Sequence, residues 1–503
     1  MSASGFPFAD VGGPRRQSKI LVLTILPTIS VLVSKSLYLL TQRAAFGLLL
    51  TILLASCALP VRQGASRSRA RAFIAYQPPT DQGRLRLAVK DLIDVKGFPT
   101  TAGSEYISKI ARPAEQDAAC LAIARRRGVQ IVGKTNLSEF AVSPSGINEY
   151  FGTPQSPFGS WLRHFIPGGS SSGSAAAITG GLADVALGTD TTGSVRIPAA
   201  CSGIVGLKTT FGLVPLKGVF PISPDHLDTI GPMAKDIALT VRGMDLLEEG
   251  FGARYEAAVA AKPSGQQIKV GRLYLNDPSP GDLALVVADP GSVILGATDL
   301  SNLFYSLVDP TRLLGATDTR IDQAVDAALA KADFQVVRMD AEFRSKWAQA
   351  QKDANVIAAA DAWLNNKEYA EHLGVSVRTK SVLLLGEVFY KTEYKKALGR
   401  QKEWQRTLNR ALAKVDFIAL PTMQSLPLTI PLFGSSAVLE ARVLALQNAS
   451  AVNLAGNPAL AIPIPIENAS VPVTSLQLVG RRNGEAQLLN AGRLVEASNP
   501  WER

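Results

Sequence analysis

Two stretches of small and hydroxyl-bearing residues constrain this chain more than anything else in it. The first, Gly168-Gly169-Ser170-Ser171-Ser172-Gly173-Ser174, is seven consecutive Gly or Ser. The second opens Gly188-Thr189-Asp190-Thr191-Thr192-Gly193-Ser194 and runs on through Val195-Arg196-Ile197-Pro198; up to Ser194 only Asp190 is neither Gly, Ser nor Thr. Residues of this kind make turns that feed helices. The Ala-rich run at 172–180 is such a helix, and residues 185–188 read as a short strand entering the second turn.

The rest of the body alternates in the same way. Residues 85–95 and 129–132 read as strands with a helix over 115–127 between them. Helical spacing covers 321–332, a strand follows at 334–337, and 380–414 is a charge-laced, mostly helical stretch. Strands at 417–420, 459–464 and 473–479 close the chain. Alternation of this kind predicts an α/β fold, a sheet flanked by helices. Residues 278–318 break the pattern with Pro278, Pro280, Pro290 and Pro310 and a repeated Leu-Gly-Ala-Thr-Asp, and read as a surface insertion.

Charge narrows the function classes once it is located. Residues 1–72 hold nine Lys or Arg against the single acid Asp10, so they carry +8 of the chain's +10 and leave +2 for residues 73–503. A near-neutral body gives no electrostatic reason to expect nucleic-acid binding. The three cysteines, Cys57, Cys120 and Cys201, form no CxxC pair, and the three histidines, His164, His226 and His372, form no HExxH. Neither a disulfide framework nor a histidine-ligated metal is expected.

The basic N-terminus reads as targeting sequence. A short apolar run at 44–55 follows Arg43 and ends in Leu54-Ala55-Ser56-Cys57, which resembles a bacterial lipoprotein box with Cys57 as the lipid site. The competing reading is a retained membrane or buried hairpin made by 20–33 and 37–54. Residues 1–43 are then an extension upstream of the true start, 44–57 the signal, 58–75 a flexible basic tether, and 76–503 one large domain. This predicts a cell-envelope protein held at a membrane through its N-terminus.

Two pattern matches are set aside. Gly128-Val129-Gln130-Ile131-Val132-Gly133-Lys134-Thr135 satisfies GxxxxGK[ST], but its Val-Gln-Ile-Val centre prefers to be a strand rather than a phosphate-cradling loop. Gly169-Ser170-Ser171-Ser172-Gly173 satisfies GxSxG, yet Pro167-Gly168 makes a poor strand before it and neither downstream histidine reads as a base.

What remains is a set of hydroxyls and one lysine, Lys90, in the apolar run 85–95. A lysine is a base only when neutral, and burial among apolar groups favours that form. Taken alone, Lys90 would be an ordinary strand-edge lysine. It has company, however: Ala88-Val89-Lys90-Asp91, Gly133-Lys134-Thr135-Asn136-Leu137-Ser138-Glu139-Phe140, both Ser/Gly clusters, Gly206-Leu207-Lys208-Thr209, Leu227-Asp228-Thr229-Ile230-Gly231-Pro232-Met233, Asn457-Pro458-Ala459 and Leu476-Gln477-Leu478-Val479-Gly480. Together these resemble the amidase signature family over about residues 85–495.

The resemblance implies a single α/β/α sandwich around a mixed sheet and an amide hydrolase needing no metal or organic cofactor. It implies a Ser–cis-Ser–Lys triad on Ser194 (nucleophile), Ser170 (bridging hydroxyl, after a cis Gly169–Ser170 peptide) and Lys90 (base). It also implies an oxyanion hole at Thr191, Thr192 and Gly193. Most members carry two glycines before the nucleophile where this chain has Thr192-Gly193. The expected partner is a small-molecule amide; the alternative is a glutaminase-type subunit of a tRNA-dependent amidotransferase.

Overall fold

The computed structural model describes residues 71–275 and 318–501, apart from 82, 161–162 and 431–435. The expected signal (44–57) and extension (1–43) lie outside the described residues, as does the insertion at 278–318 except for Asp318. Eleven strands form one sheet: β1 (Phe73–Tyr76), β2 (Arg86–Lys90), β3 (Gln130–Thr135), β4 (Val185–Asp190), β5 (Val205–Lys208), β6 (Thr229–Ala234), β7 (Lys269–Arg272), β8 (Gln335–Arg338), β9 (Phe417–Pro421), β10 (Ala459–Pro465) and β11 (Val473–Val479). Their order is β1-β3-β2-β4-β6-β5-β10-β11-β9-β7-β8. Pairing is mixed: β2 runs parallel to β3 and β4, while β4–β6, β5–β10 and β10–β11 are antiparallel.

Thirteen α-helices flank the sheet among the described residues. They are α1 (Glu105–Ile110), α2 (Ala122–Arg126), α3 (Ser172–Thr179), α4 (Arg196–Ser202), α5 (Ile237–Asp245), α6 (Phe251–Ala261), α7 (Thr319–Lys331), α8 (Ala341–Asn366), α9 (Val377–Thr392), α10 (Tyr394–Leu412), α11 (Ser436–Leu446), α12 (Ser450–Ala455) and α13 (Glu485–Ser498).

Period-two alternation sorts each strand between two layers. Leu87, Val89, Val185, Leu187, Leu460 and Leu478 belong to the core under α5, α6, α7 and α13. On the opposite face Ala88, Ala186 and Ala461 meet Ala175, Ile178 and Ala199 of α3 and α4. The residues on that second face are small because two helices bearing Ser/Gly turns must come close to the sheet. Further along it, Trp347, Ile357, Trp404 and Ala451 of α8, α10 and α12 cover Ile418 and Val479. The predicted α/β/α sandwich is what forms.

Several boundaries differ from expectation, β3 (against 129–132) and β4 (against 185–188) each running on towards the site. β1 starts at Phe73 and pairs with β3, so residues 73–75 belong to the sheet and not to the tether expected over 58–75. β2 stops at Lys90 rather than running to 95, because Ile93 N–H turns back onto Lys90 C=O at 2.9 Å. The helix expected over 115–127 is a 3-10 turn at Ala119–Leu121 followed by α2. Its start is taken by Ala118 N–H, which donates to Asp94 C=O at 2.9 Å.

Candidate active site

The strand alternation that sends Leu87 and Val89 into one core sends Ala88 and Lys90 to the other face, beneath the Ser/Gly turns. Lys90 is wholly buried. Its Nζ lies 2.7 Å from Ser170 Oγ and 2.8 Å from Thr189 Oγ1. Burial pushes the amine down to about 7, against the opposing pull of Asp190 and Asp228. The adjacent Asp91 is occupied elsewhere: its carboxylate sits 2.9 Å from Lys134 Nζ and accepts Thr101 Oγ1–H at 2.5 Å.

Ser170 is placed by the first cluster. The Gly169–Ser170 peptide is cis, and Gly169 N–H donates to Pro144 C=O at 2.8 Å. A Cβ on Gly169 would stand 2.5 Å from Gly146 N and 2.6 Å from Ser143 O, so only glycine lets the 143–146 loop close here. α3 then begins at Ser172.

The second cluster is a loop between β4 and α4, organised by the one acid in it. Burial alone would push the Asp190 carboxyl up, but Arg196, Lys208 and Asn453 hold it well below the usual carboxylate range. Arg196 grips both of its oxygens, Nε at 3.0 Å and the second nitrogen at 2.9 Å. The same oxygens accept the N–H groups of Gly193 (2.8 Å) and Val195 (3.2 Å). From α12, Asn453 Nδ2 donates to Asp190 C=O at 3.0 Å and Ser450 Oγ to Thr192 C=O at 3.3 Å. Gly193 has φ +121°, and a Cβ there would meet Ala449 Cβ at 2.7 Å.

The structure thus brings Lys90 and Ser170 into contact and sets the Ser194 loop beside them. Ser171 N–H donates to Ser194 C=O at 3.3 Å. Ser194 is 7% exposed, and its hydroxyl makes no hydrogen bond among the described residues. The N–H groups of Thr191, Thr192 and Ser194 likewise donate to no acceptor there, whereas that of Gly193 is taken by Asp190. The candidate oxyanion donors therefore narrow to residues 191, 192 and 194, with Gly193 supplying the backbone conformation.

Sequence reasoning gave no role to Thr189, Asp190, Asp228, Ser450 or Asn453, all of which hold this site. Asp190 had a signal, being the lone acid in a run of small residues. The two set-aside patterns stay set aside. Gln130–Thr135 of the GxxxxGK[ST] match is strand β3. The histidines downstream of GxSxG point elsewhere, His226 to Asp361 at 2.9 Å and His372 stacked on Tyr106. Among the described residues no three His, Cys, Asp or Glu side chains could hold a metal ion together.

A mixed sheet carries a buried lysine beneath two hydroxyl-rich turns, a frame that can be compared with known proteins. The fold is shared with a solved structure: 6-aminohexanoate cyclic dimer hydrolase superposes with a TM-score of 0.65 at 21% identity, covering 89% of this chain and 90% of that one. The amidase family model matches residues 85–489, and the chain belongs to that family. One relative, a component of the glutamyl-tRNA(Gln) amidotransferase of Natronomonas pharaonis, is 34% identical over 445 residues, 84% of this chain and 98% of the relative. A 2-amino-5-chloromuconic acid deaminase of Comamonas testosteroni is 31% identical over 453 residues, 86% of each. The chain is accordingly an amide hydrolase, an enzyme acting on carbon–nitrogen bonds.

Proposed function

We propose that the chain hydrolyses a small carboxylic amide through an acyl-enzyme on Ser194. The observation that carries this reading is the 2.7 Å contact between a wholly buried, readily neutral Lys90 and Ser170. Ser194 Oγ attacks the acyl carbon while its proton passes to Ser170 Oγ, and the proton of Ser170 passes to Lys90 Nζ. The oxyanion is met by the N–H groups of 191, 192 and 194, fixed before the reaction begins and so costing no reorganisation. Ser170 then returns a proton to the leaving nitrogen as the C–N bond breaks. Water cleaves the acyl-enzyme by the same relay in reverse. An ester with the same acyl group enters the same path.

A panel of small aryl and alkyl amides with the purified full chain tests this. Ser194→Ala abolishes turnover and labelling by a fluorophosphonate; turnover retained in that variant defeats the assignment.

A glutaminase-type role in a tRNA-dependent amidotransferase is the second reading, favoured by the 34% identity along nearly the whole Natronomonas relative. It requires a partner, so glutaminase activity that appears only with a second, co-purifying protein would establish it. The near-neutral body, +2 over residues 73–503, gives no net-charge reason to expect tRNA binding. We further propose attachment to a membrane of the cell envelope through Cys57, read by the intact mass of detergent-extracted protein.

A further inference from the structure

Thr191 stands first in the candidate oxyanion loop, and what fixes it is a residue far from either Ser/Gly cluster. Asp228, at the entry to β6, is 6% exposed. Its Oδ1 accepts the Thr191 hydroxyl at 2.6 Å, and its Oδ2 accepts the N–H groups of Ile222 at 3.0 Å and Ser223 at 2.9 Å. Burial pushes the Asp228 carboxyl up from its ordinary value, and the hydrogen bonds from Thr191, Ile222 and Ser223 act against that push in favour of the ionised form.

The charges around Lys90 can be sorted one by one. Asp91 is paired with Lys134 at 2.9 Å. Asp190 is paired with Arg196 at 2.9 Å and has Lys208 beyond it. Asp361 of α8 faces Asp228, and its own carboxylate is filled by Ser223 Oγ at 2.6 Å, His226 Nδ1 at 2.9 Å and Tyr394 Oη at 2.5 Å. Asp228 makes no ion pair among the described residues. It directly precedes Thr229, which pairs across the sheet with Asp190, the neighbour of the Thr189 that Lys90 touches, so its charge bears on Lys90.

We propose that Asp228 is a positioning residue with two effects: it anchors Thr191 so that the oxyanion donors stay aimed, and its uncompensated charge serves as counter-charge to Lys90 once that amine takes up the relayed proton. This rests on the Ser194 reading above. It adds a residue to that site which neither Ser/Gly cluster contains.

The test is kcat and kcat/KM against pH on one small aryl amide, for Asp228→Asn, Thr191→Val and Thr191→Ser in the full chain. Asp228→Asn loses about a hundredfold in kcat, the order of one lost oxyanion donor. Its acidic limb of kcat/KM also moves to lower pH by about one unit, because a lysine deprived of a nearby negative charge gives up its proton more readily. Thr191→Val loses kcat with its limb in place, and Thr191→Ser restores it. A merely structural aspartate would lower kcat without moving the limb, so an unmoved limb in a folded Asp228→Asn overturns the inference. Should that variant fail to fold, wild-type kcat in Thr191→Val overturns it instead. Ser194→Ala run alongside separates the two levels. If it is inactive while the Asp228 outcomes fail, only this inference falls; if it is active, the relay itself falls.

Discussion

Lys90 on β2 and Lys208 on β5 are both wholly buried, and burial pushes each amine down to about 7. Their partners differ. Lys90 Nζ faces two hydroxyls, Ser170 at 2.7 Å and Thr189 at 2.8 Å. Lys208 Nζ donates to two backbone carbonyls, Thr209 and Asn457, each at 2.9 Å. A hydroxyl can surrender a proton to a neutral amine, and a carbonyl has none to give. A perturbed lysine is therefore a candidate base only where its neighbour carries a transferable proton, and structural lysines show the same perturbation without the chemistry.

The sharpest way to break this comparison is to truncate each lysine to the same residue. Lys90→Met removes the proposed base, and turnover of a small amide falls by about 10²–10⁴, the range for general-base loss. Lys208→Met leaves kcat/KM near wild type and appears instead in the denaturation midpoint. It leaves two buried carbonyls without donors, at about 1–3 kcal/mol each. If the Lys208 variant were inactive while fully folded, the distinction between hydroxyl and carbonyl partners would be wrong.

Arg196→Met probes the buried charge that bears on both lysines, Asp190. The Arg196–Asp190 pair is buried at both ends, and removing one member of such a pair costs about 3–5 kcal/mol. Asp190 left without its guanidinium acts more strongly on Lys90 and Lys208, so both hold their protons to higher pH. In kinetics the acidic limb of kcat/KM, set by Lys90 becoming neutral near 7, moves upward. A downward movement would mean that Lys90 answers to another group.

Much of this site was readable along the chain because its residues come in local runs. Lys90 falls on an apolar strand, and Ser170 and Ser194 fall in clusters whose small residues are dictated by close approach, as at Gly169. The sheet was likewise legible wherever β-branched runs met turn residues. The supports of the site were not legible, because they lie across the fold: Asp228 reaches Thr191 over 37 positions, and Asn453 reaches Asp190 over 263. No local pattern specifies such partners. Helix α8 was missed for a different reason. Phe343, Trp347, Ala350, Ala354 and Ile357 do recur at helical spacing, but Asp353, Asp361 and Asn366 are buried on the same helix, so polar residues interrupt what would otherwise read as one apolar face. Those polar positions are taken up by Arg400, by Ser223, His226 and Tyr394, and by the carbonyl of Pro221.

The smallest effect is one in which the two lysines should be indistinguishable. Each has an ordinary value of 10.5 and a folded value of about 7. Between those limits the unfolded chain binds a proton that the folded chain does not, so stability rises with pH across that window. Below about 7 both states are protonated and the slope disappears. Each lysine contributes a slope of about 1.4 kcal/mol per pH unit. Denaturant unfolding of the wild type at a series of pH values from about 7 to 10 should therefore gain on Lys208→Met by about that slope, and on Lys90→Met by the same amount. Equal slopes beside unequal turnover would establish that burial sets the proton affinity of both amines while the neighbouring hydroxyl alone decides which one does chemistry. A flat difference for Lys90→Met would mean that its amine stays charged in the folded chain, and the relay would lose its base.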